Sequence, residues 1–295
     1  MEIQKKKRTH GTKKGMKIAI IVAVALIIVG GAGFATYSYV HAQQVAHDEQ
    51  VARDQKAEAE RVAAAAKEAK KKEPVYITLP GASPIRAIVD DYTKTSSLWA
   101  LVNKTHDIPL TYVPDTLVLP NVAERPDKSI EERSVRGDIA SQVKTLFDAA
   151  AVDGHSLMIG SAYRSAALQK VYFDSYAAAS GEEAANQYSA HPGQSEHQTG
   201  LAMDISTVSR NCYLDECFTS TPDGQWLANN AYLYGFTLRY PKGKETITGY
   251  QFEPWHYRYV GVELATALHQ SNLTLDEAWP YLQTALTTLQ QNGAL

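Results

Sequence analysis

Hydrophobic and polar positions divide the chain into an apolar run, a polar helical run and a mixed region. From Ile18 the sequence reads IAIIVAVALIIVGGAGFATYSYV, and no charged residue follows until Asp48. About 20 consecutive apolar residues are enough to cross a bilayer as a helix, so 18–40 is expected to be a transmembrane anchor. Residues 41–73 contain neither Gly nor Pro and are rich in Ala, Glu, Lys, Gln and Arg. That composition favours helix, but its few large apolar residues cannot form a core, so 41–74 reads as a solvated helical stalk. Pro74 ends it, and Pro80, Gly81 and Pro84 mark 75–84 as a linker.

Beyond residue 85 the periodicity changes repeatedly. Leu98–Val102 is an apolar, strand-like run, after which Pro109, Pro114 and Pro120 force extended or turning chain. Val135, Ile139, Val143, Leu146 and Phe147 recur at helical spacing, predicting an amphipathic helix over 134–151. A short buried strand is expected at 157–160, helix over 165–190 and strand over 200–205. Residues 226–234 read as helix closed by Gly235, followed by strand over 236–240 and a turn at 241–244. Trp255–Val260 alternates like a strand, and Thr274 with Glu277 forms a capping-box pattern opening a last helix. Helices and strands mix without a regular β-α-β rhythm, so the expected class is α+β, in one domain over 85–295.

Charge adds direction. Residues 1–17 carry Lys5, Lys6, Lys7, Arg8, Lys13, Lys14 and Lys17 against Glu2 alone. By the positive-inside rule this basic segment is cytoplasmic and everything after the anchor lies outside the cell membrane. A cleaved signal peptide is the rival reading, with Gly31-Ala32-Gly33 as a small-residue region. The formal net charge is −3 despite the basic start. The outer region is therefore acidic, which argues against nucleic acid as a partner. Cys212 and Cys217 are the only cysteines. Outside the membrane a disulfide is the default for such a pair, with metal ligation as the alternative.

Two segments concentrate metal-capable side chains: SEHQTGLAMD at 195–204 and EPWH at 253–256. A catalytic zinc takes three protein ligands and leaves one position open. His197, Asp204 and His256 supply that set and leave Glu253 as a carboxylate beside the metal, where a general base is needed. Asp204 lies in an apolar strand, and an isolated buried carboxylate is expensive unless it is compensated. Glu253 and His256 would point to opposite faces of a regular strand, so a bend or single turn at Pro254 is required to bring them together.

These segments resemble the S-x-H-x-x-G-x-A-x-D and E-x-W-H motifs of the VanY-type D-alanyl-D-alanine carboxypeptidases. That family belongs to a wider group of zinc peptidases that includes lysostaphin-like enzymes and the hedgehog fold. The resemblance extends over SLWALVNKTH (97–106), SAYRS (161–165), GQWLANNAYLYGFTLRYP (224–241) and YRYVG (257–261), spanning roughly 85–275. It implies a small antiparallel sheet with flanking helices, Zn2+ held by His197, Asp204 and His256, and Glu253 as general base. It further implies that Arg164 binds substrate near the scissile bond and that Ser195 helps hold the substrate's C-terminal carboxylate. Gln169 lies four residues beyond Ser165 on one helix face and is a candidate substrate contact. The implied substrate is the D-Ala-D-Ala end of peptidoglycan stem peptides. L,D-carboxypeptidase or endopeptidase action on the same peptides is an alternative within enzymes. A wall-binding module without catalysis is the alternative outside them, disfavoured by an intact Glu253.

Overall fold

A computed structural model of the chain describes residues 12–295. The basic cluster at Lys5–Arg8 lies outside the described residues. The chain divides into two units, Met1–Ala69 and Lys70–Leu295. The described residues of the first lie in one helix, α1 (Thr12–Lys72 as a whole), whose apolar part is long enough to cross a membrane by length and composition.

The second unit is built on a four-stranded antiparallel sheet. Its strands are β1 (Leu157–Ser161), β2 (Ala202–Thr207), β3 (Phe236–Leu238) and β4 (His256–Tyr259), in the order β1-β2-β4-β3. Helices surround it: α2 (Ala140–Val152), α3 (Ala166–Ser180), α4 (Glu182–Tyr188), α5 (Pro222–Asn230), α6 (Val262–Ser271) and α7 (Leu275–Gln291). This is the expected α+β class. Met203 and Ile205 of β2, Ile159 of β1, Phe236 of β3 and Tyr257 of β4 join Leu146 and Phe147 of α2 in one core. Strand alternation therefore leaves Asp204 and His256 on the other face. A second core packs Leu264 and Leu268 of α6 and Trp279, Leu282 and Leu286 of α7 against Ile77, Leu79 and Trp99. Each such side chain contributes roughly 1.5–3 kcal/mol by leaving water. The Thr274 capping box forms, with Thr274 N donating to Glu277 and Glu277 N to Thr274 Oγ1.

Several expectations from periodicity are corrected. Leu98–Val102 is irregular, with Trp99–Val102 buried and Leu98 half-buried. The Leu98 and Ala100 carbonyls accept from Arg258 at 3.1 and 3.0 Å rather than from a neighbouring strand. Val135 belongs to a two-residue strand (Val135–Arg136) paired with Leu117–Val118, and α2 begins only at Ala140. The helix expected over 165–190 is broken at Gly181 into α3 and α4. Within the stretch 75–84, expected as a linker, two apolar side chains are buried. Ile77 and Leu79 are 3% and 1% exposed, and Tyr76–Ile77 pairs with Ile85–Arg86.

Candidate metal centre

Three adjacent strands carry the centre. In the sheet register Asp204 lies opposite His256 on one side and Ser161 on the other. Ser161 would share the face of Ile159 in a regular strand, but the register shifts between them, and such a bulge re-aims a side chain. At the intervening Gly160 a Cβ atom would sit 2.9 Å from the Tyr213 ring. Ser161 Oγ then donates to Asp204 Oδ2 at 2.7 Å.

His197 comes from a 3-10 turn, Glu196–Thr199, that ends at Gly200 in a left-handed conformation (φ 68°). A Cβ at Gly200 would also meet Arg136 N at 3.0 Å, so this sharp entry into β2 suits glycine on two counts. Glu253 is brought beside His256 by a tight turn through Pro254, closed by His256 N donating to Glu253 O at 3.1 Å.

His197, Asp204 and His256 each offer a ligand atom, and these atoms lie within 4.8 Å of one another. His197 Nε2 is 3.4 Å from Asp204 Oδ2, and His256 Nδ1 is 3.3 Å from Asp204 Oδ1 and 3.5 Å from Glu253 Oε2. The residues fit zinc on two counts. Asp204 Oδ1 is buried with no hydrogen-bond donor among the described residues, and a two-histidine, one-carboxylate set is a familiar zinc donor set. His197 Nδ1 lies 2.6 Å from Ala162 O. Donating its proton there leaves Nε2 free to ligate.

The electrostatics distinguish the two carboxylates. Burial opposes ionisation of Asp204, yet His197 and His256 beside it hold its carboxyl well below the usual range. Burial pushes Glu253 up to about 8, and Asp204 adds to that while His256 opposes it. For His256 burial works against the charged ring, but Asp204 and Glu196 outweigh it and raise the group to about 9. Burial lowers His197. The cluster therefore attracts a cation.

The other candidates line the same cavity of about 230 Å³, which contains Arg164, Gln169 and Ser195 with the three ligands and Glu253. Arg164 Nη1 donates to Gln169 Oε1 at 2.9 Å and Nη2 to Ser161 Oγ at 3.0 Å, while Nε has no partner among the described residues. The Gln169 amide is also committed to the protein, donating to Ala190 O at 2.7 Å. Cys212 and Cys217 are joined as a disulfide. Their loop puts Leu214 on the cavity wall.

Sequence reasoning missed Glu196, Arg239 and Arg258. Glu196 Oε1 accepts from Arg239 Nε at 2.8 Å and Arg258 Nη1 at 2.9 Å, and these side chains are 0% exposed. The available signal was an arginine inside each of two apolar strands, FTLRY and HYRYV, which requires a buried acid elsewhere.

Two histidines, an aspartate and a further carboxylate gathered at this sheet have the arrangement of the zinc metallopeptidase class. Residues 132–262 match the family described as VanY: D-alanyl-D-alanine carboxypeptidase. YodJ of Bacillus subtilis (strain 168), a protein whose name proposes a carboxypeptidase, is 49% identical over 181 residues, which cover 61% of this chain and 66% of YodJ. The match thus spans just under two thirds of that relative's length. The LdcB LD-carboxypeptidase structure is 47% identical with a TM-score of 0.60, covering 63% of this chain and 87% of that one. A variant of the vancomycin resistance D,D-pentapeptidase VanY from a VanB-type cassette, solved with Zn(II), is 34% identical. Its TM-score is 0.51, and the match covers 64% of this chain and 99% of that one. The chain belongs to the VanY family of D-alanyl-D-alanine carboxypeptidases.

Proposed function

We propose that the chain is a zinc D,D-carboxypeptidase that removes the terminal D-alanine of peptidoglycan stem peptides. The observation that carries this reading is the convergence of His197, Asp204, His256 and Glu253 on the cavity that also holds Arg164. Zinc, when held there, supplies polarisation of the scissile carbonyl and a lowered pKa for the attacking water. Glu253 takes a proton from that water and hands it to the leaving amine. Its carboxyl, raised to about 8 by burial, would be pulled back toward the ionised form by a neighbouring cation. Arg164 offers a planar fork to a carboxylate or developing oxyanion. Gln169 positions Arg164, and Ser195 adds a neutral hydrogen bond to the substrate's terminal carboxylate.

The L,D reading is favoured by one observation, the greater identity to LdcB (47%) than to VanY (34%). Incubating the detergent-solubilised chain with pentapeptide and tetrapeptide stems, followed by mass spectrometry, separates the two. Loss of one residue from the pentapeptide is expected. Faster trimming of the tetrapeptide would transfer the activity to the L,D class, and equal cleavage of a C-terminal amide would indicate an endopeptidase.

The apolar part of α1, residues 18–40, would anchor the chain in the cell membrane with 1–17 in the cytoplasm. In this arrangement 41–74 is a stalk, 75–84 a linker, and 85–295 the zinc domain outside. Protease added to intact protoplasts should then release the domain, and complete protection would refute the topology.

A further inference from the structure

The two ring nitrogens of His256 look in opposite directions. Nδ1 faces Asp204 and Glu253, while Nε2 faces Glu196 Oε2 at 3.6 Å. Neither Nε2 nor Oε2 has a hydrogen-bond partner among the described residues, and both are buried. The second oxygen of Glu196 is already occupied by the two guanidinium groups. Those groups are fixed in turn. Arg239 donates to Asp276 in the first turn of α7, and Arg258 donates to the Leu98 and Ala100 carbonyls. A carboxylate gripped from one side by two arginines has one free edge, and here that edge is aimed at an imidazole nitrogen. Buried polar atoms are nearly always paired; the two lie just beyond hydrogen-bond distance at 3.6 Å, and a proton on Nε2 is what would face Oε2. His197 is held the opposite way, with Nδ1 against Ala162 O and Nε2 toward Asp204.

We propose that Glu196 is a positioning residue that fixes His256 in its Nε2–H form and so presents Nδ1 to the metal, and that Arg239, Arg258 and Asp276 hold Glu196 for this purpose. The two histidines then ligate through different nitrogens, each set by the group behind it. The last helix is tied to the metal centre through Asp276, Arg239 and Glu196, although it contributes no ligand. This role rests on the zinc reading above, but it concerns which nitrogen carries a proton and is measurable without turnover.

The test uses the full chain in detergent with 15N-labelled histidine and stoichiometric zinc. Long-range proton–nitrogen correlation spectra should show two zinc-shifted histidines, one in the Nδ1–H form and one in the Nε2–H form. In Glu196→Gln, competition with a fluorescent chelator should show zinc affinity weakened by about 10–100-fold. Uptake of zinc with both histidines in the same form, or a folded Glu196→Gln that keeps wild-type zinc affinity, would overturn the role of Glu196. A wild-type chain that takes up no zinc would overturn the metal reading and this role with it. If Glu196→Gln fails to fold, the wild-type spectrum decides alone.

Discussion

Two buried clusters of charge meet at His256 and are balanced by different means. In one, Glu196 and Asp276 are matched inside the protein by Arg239 and Arg258. In the other, Asp204 and Glu253 face histidines, and among the described residues Arg164, 3.9 Å from Asp204, is the one arginine paired with them. The first cluster carries its own cations and can form as the chain folds. The second draws a cation from solution, a proton or a metal ion. Burying a charge without a partner is unfavourable. The pattern of internal matching therefore separates the part of the buried polar core that is structural from the part that is chemical.

The largest effects should appear where the second cluster loses a ligand or its base. His256→Ala is expected to reduce bound zinc from one per chain to near zero and to remove zinc-dependent turnover with it. Glu253→Gln should keep its zinc and lose about 10²–10⁴-fold in kcat. Elemental analysis alongside peptide assays checks both, and full zinc content in His256→Ala would mean that the ligand set is wrong.

In the first cluster the expected loss is one of stability. Arg258→Met leaves Glu196 with one guanidinium and the Leu98 and Ala100 carbonyls without their donor. Breaking a buried pair in this way typically costs about 3–5 kcal/mol, readable as a shift in the urea midpoint. A change below 1 kcal/mol would show that the cluster is not balanced as described. Zinc removal by a chelator should have a smaller effect, about 2.7 kcal/mol relative to protein with zinc at a hundredfold excess over its Kd. That loss should disappear in His256→Ala.

The smallest effect tests a third, self-matched carboxylate. Burial opposes ionisation of Glu132, but Lys128 and Tyr172 hold its carboxyl down to about 2, from an ordinary value of 4.5. A depressed folded-state value means that its stabilisation is complete above about 4.5 and is lost as pH falls toward 2. The stability difference between the wild type and Glu132→Gln should shrink over that window in acid titrations of the unfolding midpoint. A difference that stays constant from pH 6 to pH 3 would remove the linkage.

Local pattern was sufficient to expect strands at 157–160 and 200–205, which form at 157–161 and 202–207, and for the capped final helix and the α+β class. Burial period, caps and turn residues act over a few positions and can be read there. The ligands were legible for a different reason. His197, Asp204 and His256, with Glu253 beside them, fall in two short motifs, and an apolar strand containing a lone carboxylate already calls for a cation. Leu98–Val102 misled because apolarity reports burial and not the partner, and its carbonyls are satisfied by an arginine about 160 positions away.

The sequence by itself determined which side chains could bind a metal, which segments would be buried and where the chain must turn. Only the tertiary structure decided that Ser161, Asp204 and His256 stand side by side, and that Glu196 faces the far nitrogen of His256. It also decided that Arg239 and Arg258 serve an acid rather than a substrate. Strand register and side-chain direction come from contacts between residues tens of positions apart. Those contacts are set by the packing of the whole sheet, and no local period encodes them.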